Sequence, residues 1–558
     1  MRRPFRKVGC LLTALGLFLL IAAPRLWVVA ETVTIDEDKW LTRSANFRYA
    51  LQTQEWQDTY QKEHPGVTVM WAGTLGLSYL LRNSQVPFDP ASQPELGSLL
   101  RANGYDLLDG LIAARVVMVL LNGLVLLAVF AYGRQLLGTA AAVVGILLLA
   151  FSPFYAAHTH LLHLDGLAAS LMLLSIMAFV QYFYGRHWYD LLLSAIAAGM
   201  ACLSKSPGFL LIPIIITIAL LFQILRYREH RYPWRQLLRE SFFMLGGWAL
   251  VGLATFVILW PAMWVAPAET LNRMFTAVIT YSSGGHNSPI FFNGEIYQEG
   301  EQISRLAIFY PVTYLWRSTP ITLAGLFLAA IAMLKGKTYL NTAQRNTMLA
   351  LIVAVVLIFF ALTLGNKKFD RYLLPAYAPL ALIAAMGWVI FARWLNNHRP
   401  HNLRLRLDLP VLLLVVFIQS MFLVQSCPYF LSFYNPLLGG SVEAPEVMMI
   451  GWGEGLDAAA VYLNDKPDAA SLRVASWYRP SFAYFFKGKA LDIPSFPTAE
   501  QEAKILSTDY LVIYVHQWQR DLPAKLLADL EGQSPEYVVR HNGLEYARIY
   551  KLPLSGAA

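Results

Sequence analysis

Residues 8–38 read VGCLLTALGLFLLIAAPRLWVVAETVTIDED, an apolar run that ends in three consecutive acids. The run from Val8 to Ala30 is long enough to cross a bilayer core, which requires about 20 apolar residues. Its upstream flank, MRRPFRK at 1–7, is basic, so the positive-inside rule places the N-terminus in the cytoplasm. The acids at 36–38 therefore lie just outside the first span, on the outer side of the membrane.

The composition indicates a polytopic membrane protein. Of the 558 residues, 56% are apolar and only 14% are charged, whereas soluble proteins carry about 25% charged residues. The net charge of +8 does not indicate a nucleic-acid partner. The basic residues lie mostly in short loops between apolar runs, where they set the orientation of a protein in the membrane.

Apolar runs of span length recur along the chain. They predict about eleven spans, at 8–30, 110–132, 139–156, 166–184, 190–206, 208–225, 241–264, 313–334, 346–364, 372–392 and 409–427. An odd number puts the two termini on opposite sides. The basic loops after residues 225, 334 and 392 then face the cytoplasm, and the outer loop 31–109 carries eleven acids against six bases. We expect a multi-pass protein of the plasma (inner) membrane; a cleaved signal peptide is the alternative for the first run.

Two segments are expected outside the membrane. In the loop 31–109, stretches 38–55 and 67–82 are predicted to form amphipathic helices on the membrane surface. The tail 428–558 is predicted to be a small extracytoplasmic α/β domain, separate from the transmembrane domain 1–427. Its strand-like runs lie at 472–478, 510–516, 537–540 and 545–551, its helical runs at 457–463 and 523–530, and Asn542-Gly543 fits a hairpin turn.

Two outer loops carry basic residues, although the positive-inside rule favours such residues on the cytoplasmic side. One reads GNKKFDRY at 365–372, with the bases Lys367, Lys368 and Arg371, and the other reads SKSP at 204–207, with Lys205. Such bases could hold an anion at the lipid surface, such as the phosphate of a lipid-linked substrate. The alternative is that they extend to lipid headgroups or pair with Asp370. For the cluster as a whole, an anion site is favoured.

Three further groups could carry chemistry. Asp36 and its two acidic neighbours could supply a general base, or could only stabilise a helix start. The stretch AHTHLLHLDG at 157–166 places His160, His163 and Asp165 where they could bind a divalent metal, a phosphate or sugar hydroxyls, or could be interfacial histidines and a helix cap. His64, before Pro65-Gly66, is either a site residue or a turn residue.

Weaker signals complete the set. Arg115, near the outer end of the second span, is expected to pair with an acid of the outer loop, in a structural role. His286-Asn287 and Phe291-Phe292, in the loop 265–312, could contact sugar or lipid.

These motifs, taken in order, resemble those of the C-type membrane glycosyltransferases. They are Asp36-Glu37 after the first span, His64-Pro65-Gly66, LSKSPG at 203–208 and KKFDRYLLP at 367–375. Within that group, the layout of residues 8–392 is similar to the dolichyl-phosphate-mannose–protein mannosyltransferases and the bacterial aminoarabinose lipid A transferases. The protein mannosyltransferases have His-Pro-Pro where this chain has His64-Pro65-Gly66.

The resemblance implies a set of roles. Asp36 is then the catalytic base, and Asp165 matches a second catalytic acid. The carrier phosphate is expected on Lys205, Lys367, Lys368 and Arg371. The rest of the substrate site is expected to include Glu37, His64, His163 and Tyr372.

We therefore expect an inverting hexosyl or pentosyl transferase. It would move a sugar from a polyprenyl phosphate carrier to a lipid, glycan or protein acceptor on the outer face of the membrane. The sequence makes no cofactor certain, and it leaves a divalent metal as a possibility. The alternative is a polytopic lipid or solute transporter or flippase, which would carry polar residues along several spans and show related halves. Here the polar motifs gather at one membrane face.

Overall fold

The computed structural model describes residues 2–84, 96–230, 233–283, 289–297, 307–335, 339–365, 367–398, 406–494, 497–519, 526, 528, 530 and 532–553. The helices before the C-terminal tail are α1 Arg2–Trp27, α2 Ile35–Thr53, α3 Val67–Leu80, α4 Leu96–Ala102, α5 Leu107–Leu136, α6 Thr139–Ala150, α7 Pro153–His160, α8 Leu164–Gly185, α9 Trp188–Ser204, α10 Leu211–His230, α11 Trp234–Leu259, α12 Ala262–Val265, α13 Pro267–Ser283, α14 Phe309–Arg317, α15 Pro320–Lys335, α16 Thr342–Leu364, α17 Leu374–Asn397 and α18 Asp408–Gln425. A short antiparallel hairpin, β1 Ile290–Phe292 and β2 Glu295–Tyr297, follows α13.

The chain is a multi-pass membrane protein. Within the described residues, seven helices are long and apolar enough to cross a bilayer, and up to nine if each of two bent helix pairs counts as one span. These seven and the two pairs overlie nine of the predicted spans. The other two predicted spans, 8–30 and 190–206, overlie shorter apolar helices, Leu11–Trp27 within α1 and Trp188–Ser204. The count of eleven stays a prediction.

Two of the predicted spans, 139–156 and 313–334, coincide with bent helix pairs. Helices α6 and α7 meet at 71°, and α14 and α15 meet at 116°. A proline begins the second helix of each pair, Pro153 in α7 and Pro320 in α15. Proline lacks an N–H and disfavours helical geometry in the residue before it, so the helix breaks there.

Helices α8 and α17 form the centre of the bundle. Most residues in both spans are buried inside the protein, whereas few residues of α11 and α18 are. Asp165 lies in the first turn of α8, and Arg371 lies in the short 3₁₀ turn that leads into α17. The two best-buried of the seven span-length helices therefore present their N-terminal ends to the site described below.

Helix α3 differs from the expected surface helix because most of its residues are buried. It packs against α2 and α5. A side-chain carbon added at Gly76 would stand 2.6 Å from backbone atoms of Ala113 in α5, so the absence of a side chain permits this close approach. Helical structure at 38–55 and 67–82 is confirmed, with α2 at Ile35–Thr53 and α3 at Val67–Leu80.

The tail forms a small mixed-sheet domain. Its helices are α19 Gly440–Val447, α20 Leu456–Asn464, α21 Arg479–Ala483, α22 Ala499–Leu506 and α23 Val515–Trp518, and its strands are β3 Arg473–Ser476, β4 Lys489–Asp492, β5 Tyr510–Tyr514, β6 Tyr537–His541 and β7 Leu544–Lys551. The strand order is β4-β3-β5-β7-β6, with β3 parallel to β4 and β5, and β7 antiparallel to β5 and β6.

The tail confirms most of its sequence prediction. All four predicted strands exist, and α20 overlies the predicted helix 457–463. Strand β4 and the helices α19, α21, α22 and α23 were not predicted. Asn542 and Gly543 both have positive φ at the turn between β6 and β7, as a two-residue hairpin requires. The predicted helix 523–530 lies largely outside the described residues.

The predicted sidedness has a direct test. Reporters fused after Arg231 and after Leu456 should report opposite sides of the membrane, with residue 231 in the cytoplasm. The reason is the charge bias of the loops, which favours basic loops on the cytoplasmic side. Activity of both fusions on the same side would rule out the eleven-span topology.

Candidate active site

The start of α2 is fixed by a buried ion pair. The Nε/Nη2 edge of the Arg115 guanidinium donates to both carboxylate oxygens of Glu37, with Nε 2.7 Å from Oε1 and Nη2 2.6 Å from Oε2, and both side chains are fully buried. Arg115 also donates to the carbonyl oxygens of Val29, Glu31 and Thr32. The expected pairing of Arg115 with an outer-loop acid is thus confirmed.

Glu37 is the residue that caps α2. Its carboxylate also accepts from the backbone N–H groups of Thr34, at 3.0 Å, and Leu162, at 2.9 Å. Thr34 and Glu37 thus form a capping box at the start of α2. The sequence predicted Glu37 among the substrate-binding residues, but both of its carboxylate oxygens are engaged inside the protein.

Asp36, the neighbour of Glu37, lines a cavity instead. Its Oδ2 lies 3.6 Å from Nε2 of His163 and 3.7 Å from Nη2 of Arg371, and its side chain is 29% exposed. Burial opposes ionisation of this carboxyl, but the hydrogen bond and charge of His163 and the charge of Arg371 hold the pKa of Asp36 well below its usual range. Asp36 is therefore ionised at neutral pH.

Asp165 lies behind His163. Its Oδ2 is 3.0 Å from Nδ1 of His163, and its Oδ1 accepts from Nζ of Lys205 at 2.5 Å. His163 therefore stands between the two acids, with one ring nitrogen toward each. Burial lowers the pKa of His163, but hydrogen bonds to Asp165 and Asp36 raise it overall above its usual value. This favours the imidazolium form.

Arg371 joins the acids to the C-terminal domain. Its Nε lies 3.8 Å from Oδ2 of Asp165. Its guanidinium carbon stands over two aromatic rings, 4.2 Å from the centroid of Phe369 and 4.6 Å from that of Trp452. The indole of Trp452 also meets the ring of His163 edge to face, at 4.8 Å. Stacking of this kind holds a guanidinium in one plane.

The remaining predicted bases divide into two groups. Lys205 places its ammonium 4.2 Å above the ring of Tyr372. Burial, together with the charges of Arg371 and Lys205, lowers the pKa of Lys367 to about 8, so Lys367 belongs to the same electropositive region. Lys368 differs, because its ammonium donates to the carbonyl oxygens of Leu362 and Thr363 at the end of α16.

His64 lies beside the same region. Its Nδ1 is 3.3 Å from Oγ of Ser206, next to Lys205. Burial and the nearby charges of Lys205 and Lys367 lower the pKa of His64 to about 4. The imidazole is therefore neutral at pH 7.

His163 and Asp165 contact each other, but the three candidate metal ligands His160, His163 and Asp165 do not form a metal-binding group. Nδ1 of His160 lies 3.2 Å from the carbonyl oxygen of Ala156 in its own helix. Among the residues that the structure describes, no group of three or more His, Cys, Asp or Glu side chains is arranged to hold a metal ion.

A cavity of about 280 Å³ lies between the membrane helices and the C-terminal domain. From the membrane part, it is lined by Asp36, Lys39, His158, Arg317, Lys368, Asp370 and Arg371, and from the C-terminal domain by Trp452, Glu454, Tyr478 and His516, among others. Phe291, one of the weaker sequence candidates, also lines it, whereas His286 and Asn287 lie outside the described residues. A carboxylate and a guanidinium thus share one concave site.

Two parts of the cavity lining were not predicted from the sequence. Arg317 lies in the predicted span 313–334, and a charge inside a span is itself a signal for a site. Its guanidinium binds Asp370, with Nη2 2.9 Å from Oδ2, and donates to the carbonyl oxygens of Leu431 and Phe433. The other missed part is GWGEG at 451–455, whose alternating glycines could have indicated close backbone contact.

Residues 94–260 match the model of a sequence family described as dolichyl-phosphate-mannose-protein mannosyltransferase. The matched range contains Arg115, His163, Asp165 and Lys205, while Asp36 and Arg371 lie outside it. The match confirms the resemblance to glycosyltransferases that use lipid-linked sugars over this part of the chain.

Solved structures show only distant likeness. ArnT from Cupriavidus metallidurans bound to undecaprenyl phosphate is 13% identical, with a TM-score of 0.48 over 100% of both chains. The Archaeoglobus fulgidus oligosaccharyltransferase in the apo form is also 13% identical, with a TM-score of 0.45 over 91% of this chain and 70% of that chain. Likenesses this distant assign no activity to this chain. No curated protein matches it.

Proposed function

We propose, from the family match over residues 94–260, that this chain is a membrane glycosyltransferase. It moves a hexose or pentose from a polyprenyl phosphate carrier to an acceptor, with inversion, at the outer face of the inner membrane. The observation that carries the proposal is the cavity, in which the ionised carboxylate of Asp36 lies 3.7 Å from the guanidinium of Arg371. A base for the acceptor and a cation for the leaving phosphate are the two groups that such a transfer needs.

The reaction uses the two groups together. Asp36 accepts the proton of an acceptor hydroxyl or amine as that group attacks the anomeric carbon of the sugar. The bond from that carbon to the phosphate oxygen breaks on the opposite face, and its electron pair stays on the phosphate. Arg371 and Lys367 stabilise the charge that develops there.

Arg371 also couples donor binding to the strength of the base. In the protein alone, His163 and Arg371 overcome the effect of burial and lower the pKa of Asp36. A donor phosphate that takes up the charge of Arg371 weakens this effect, so the pKa of Asp36 rises when the donor is bound. The carboxylate then becomes a stronger base at the moment when the acceptor must be deprotonated.

Asp165 and Glu37 receive positioning roles. Asp165 is buried and acts through His163 and Lys205, both of which it contacts. Glu37 holds the start of α2 through Arg115, and so fixes the position of Asp36. Neither side chain needs to touch the substrate.

We expect Arg371→Ala to weaken donor use by about 10- to 100-fold, because a charge-assisted contact contributes roughly 1.5–3 kcal/mol. Arg371→Lys should restore only part of the loss, since lysine cannot bind two phosphate oxygens at once. The measurement is kcat and KM for the donor with purified protein. Arg406→Ala, an exposed arginine paired with Asp408, serves as the matched control. Normal turnover of Arg371→Ala would assign the cluster to lipid anchoring instead.

Lipid analysis of a deletion strain tests the function itself. The strain should accumulate one polyprenyl-phosphate-linked sugar, and one glycoconjugate should lose that sugar. Complementation with the intact chain should reverse both changes, and complementation with Asp36→Asn should reverse neither. A strain with an unchanged set of polyprenyl phosphate lipids and glycoconjugates would contradict the proposal. Accumulation of a lipid on one side of the membrane would instead favour a transporter.

A further inference from the structure

Two buried polar groups of the cavity wall have no role in the mechanism above. Oε1 of Glu454 and both ring nitrogens of His158 are buried and have no hydrogen-bond partner among the residues that the structure describes. Glu454 is 2% exposed and His158 is 1% exposed. Both side chains line the cavity that contains Asp36 and Arg371. Since most buried polar groups in proteins are paired, two unpaired groups facing one cavity indicate a polar ligand.

Glu454 is held in a fixed orientation. Its Oε2 accepts from the backbone N–H of Trp452 at 2.6 Å and from the hydroxyl of Tyr514 at 3.1 Å. These contacts engage one carboxyl oxygen and leave the other for the cavity. Burial raises the pKa of Glu454 above its usual value, and a hydrogen-bonding ligand would compensate for that burial.

The loop that carries Glu454 is docked on the membrane part at the site itself. Gly453 has φ of +132°, and a side-chain carbon there would stand 2.4 Å from the carbonyl oxygen of Val33, just before α2. Only glycine fits this approach. Trp452 meets the rings of His158 and His163, with centroids 5.7 and 4.8 Å away. His158, Trp452 and Glu454 thus form one continuous wall.

The size of the cavity limits what this wall can bind. A volume of about 280 Å³ lies just below the usual range for sites that bind small molecules. It suits a compact polar ring better than a polyprenyl chain, which needs a long apolar surface. The wall also faces the same space as the proposed base, so a ring bound there lies within the reacting site.

We propose that His158, Trp452 and Glu454 form the subsite for the sugar ring of the donor, an inference that rests on the proposed function. Glu454 accepts a hydrogen bond through Oε1 from a hydroxyl or amino group of the sugar. His158 makes a second hydrogen bond through a ring nitrogen. The C-terminal domain then takes part in selecting the sugar, while Arg371 and Lys367 bind the phosphate.

The test uses Glu454→Gln in the full chain. Glutamine keeps one oxygen for the contacts with Trp452 and Tyr514, but it places an N–H group where the cavity needs an acceptor. We expect KM for the sugar-bearing donor, extracted from the deletion strain, to rise about 10- to 100-fold, as for an unpaired buried polar group. Binding of sugar-free undecaprenyl phosphate, measured by thermal shift, should stay unchanged.

A second variant and a control keep the test decisive. His158→Phe keeps an aromatic ring against Trp452 but removes both nitrogens, so it should also raise KM for the donor and spare the sugar-free lipid. Glu500→Gln, an exposed acid in α22, should behave as wild type. Three results would overturn the subsite. The first is a wild-type KM for the donor in both variants, and the second is a loss of sugar-free lipid binding as large as the loss of donor binding. The third is a change confined to KM for the acceptor. A wild-type chain that neither transfers the sugar nor binds the lipid would instead overturn the proposed function.

Discussion

Asp36→Asn is expected to lower kcat by about 10²- to 10⁴-fold, the usual contribution of a general base, while donor binding persists. Asparagine keeps the shape of the side chain but cannot take the proton of the acceptor. Folding should be little affected, because the capping contact of α2 belongs to Glu37 and not to Asp36. Turnover with purified protein and thermal unfolding of the same preparation measure the two effects separately.

The matched control is Asp38→Asn, two residues along the same helix. Oδ1 of Asp38 accepts from the hydroxyl of Tyr484 in the C-terminal domain, at 3.1 Å, and the asparagine carbonyl can keep that hydrogen bond. Asp38 is absent from the cavity lining, so this variant should stay close to wild type in rate. An Asp36→Asn protein that is destabilised but fully active would overturn the assignment of Asp36 as the base.

Glu37→Ala should have the largest effect on stability. It leaves the fully buried guanidinium of Arg115 without its counter-charge, and breaking a buried ion pair in this way costs about 3–5 kcal/mol. Thermal or denaturant-induced unfolding of the protein in detergent should show this loss of stability. The folded fraction should keep its affinity for undecaprenyl phosphate, because Glu37 has no oxygen facing the substrate.

Glu31→Ala is the control for this experiment. Glu31 contacts Arg115 only through its backbone carbonyl, which alanine retains, and its own side chain is exposed. A stable Glu37→Ala protein that fails to bind the lipid would restore the sequence-based prediction that Glu37 binds substrate.

Much of the architecture follows from the sequence because hydropathy and charge act locally. Apolar runs of span length and basic loops predict which segments cross the membrane and which ends share a face. That reasoning grouped Asp36, Asp165, Lys205 and Arg371 at one face. In the structure, successive ion pairs link Lys205 to Asp165, Asp165 to Arg371 and Arg371 to Asp36. The strands of the tail and its Asn542-Gly543 turn are likewise predicted by local sequence patterns.

The roles of neighbouring residues depended on the tertiary structure. Asp36 and Glu37 are adjacent in sequence and alike in chemistry, yet successive residues of a helix point about 100° apart. One carboxylate therefore enters the core, where Arg115 neutralises it, and the other faces the cavity. The sequence does not give the rotation of α2 about its axis. In the same way, only the tertiary structure shows that the ammonium of Lys368 donates to backbone carbonyl oxygens at the end of α16.

The sequence by itself determined a multi-pass helical protein with acids and bases at one membrane face and a small α/β tail. Only the tertiary structure decided that Trp452 and Glu454 of this tail complete the cavity with Asp36, more than 400 residues earlier in the chain. The physical reason is that contacts between distant segments depend on how surfaces fit, here through Gly453 against Val33. Local hydropathy and charge carry no information about that fit.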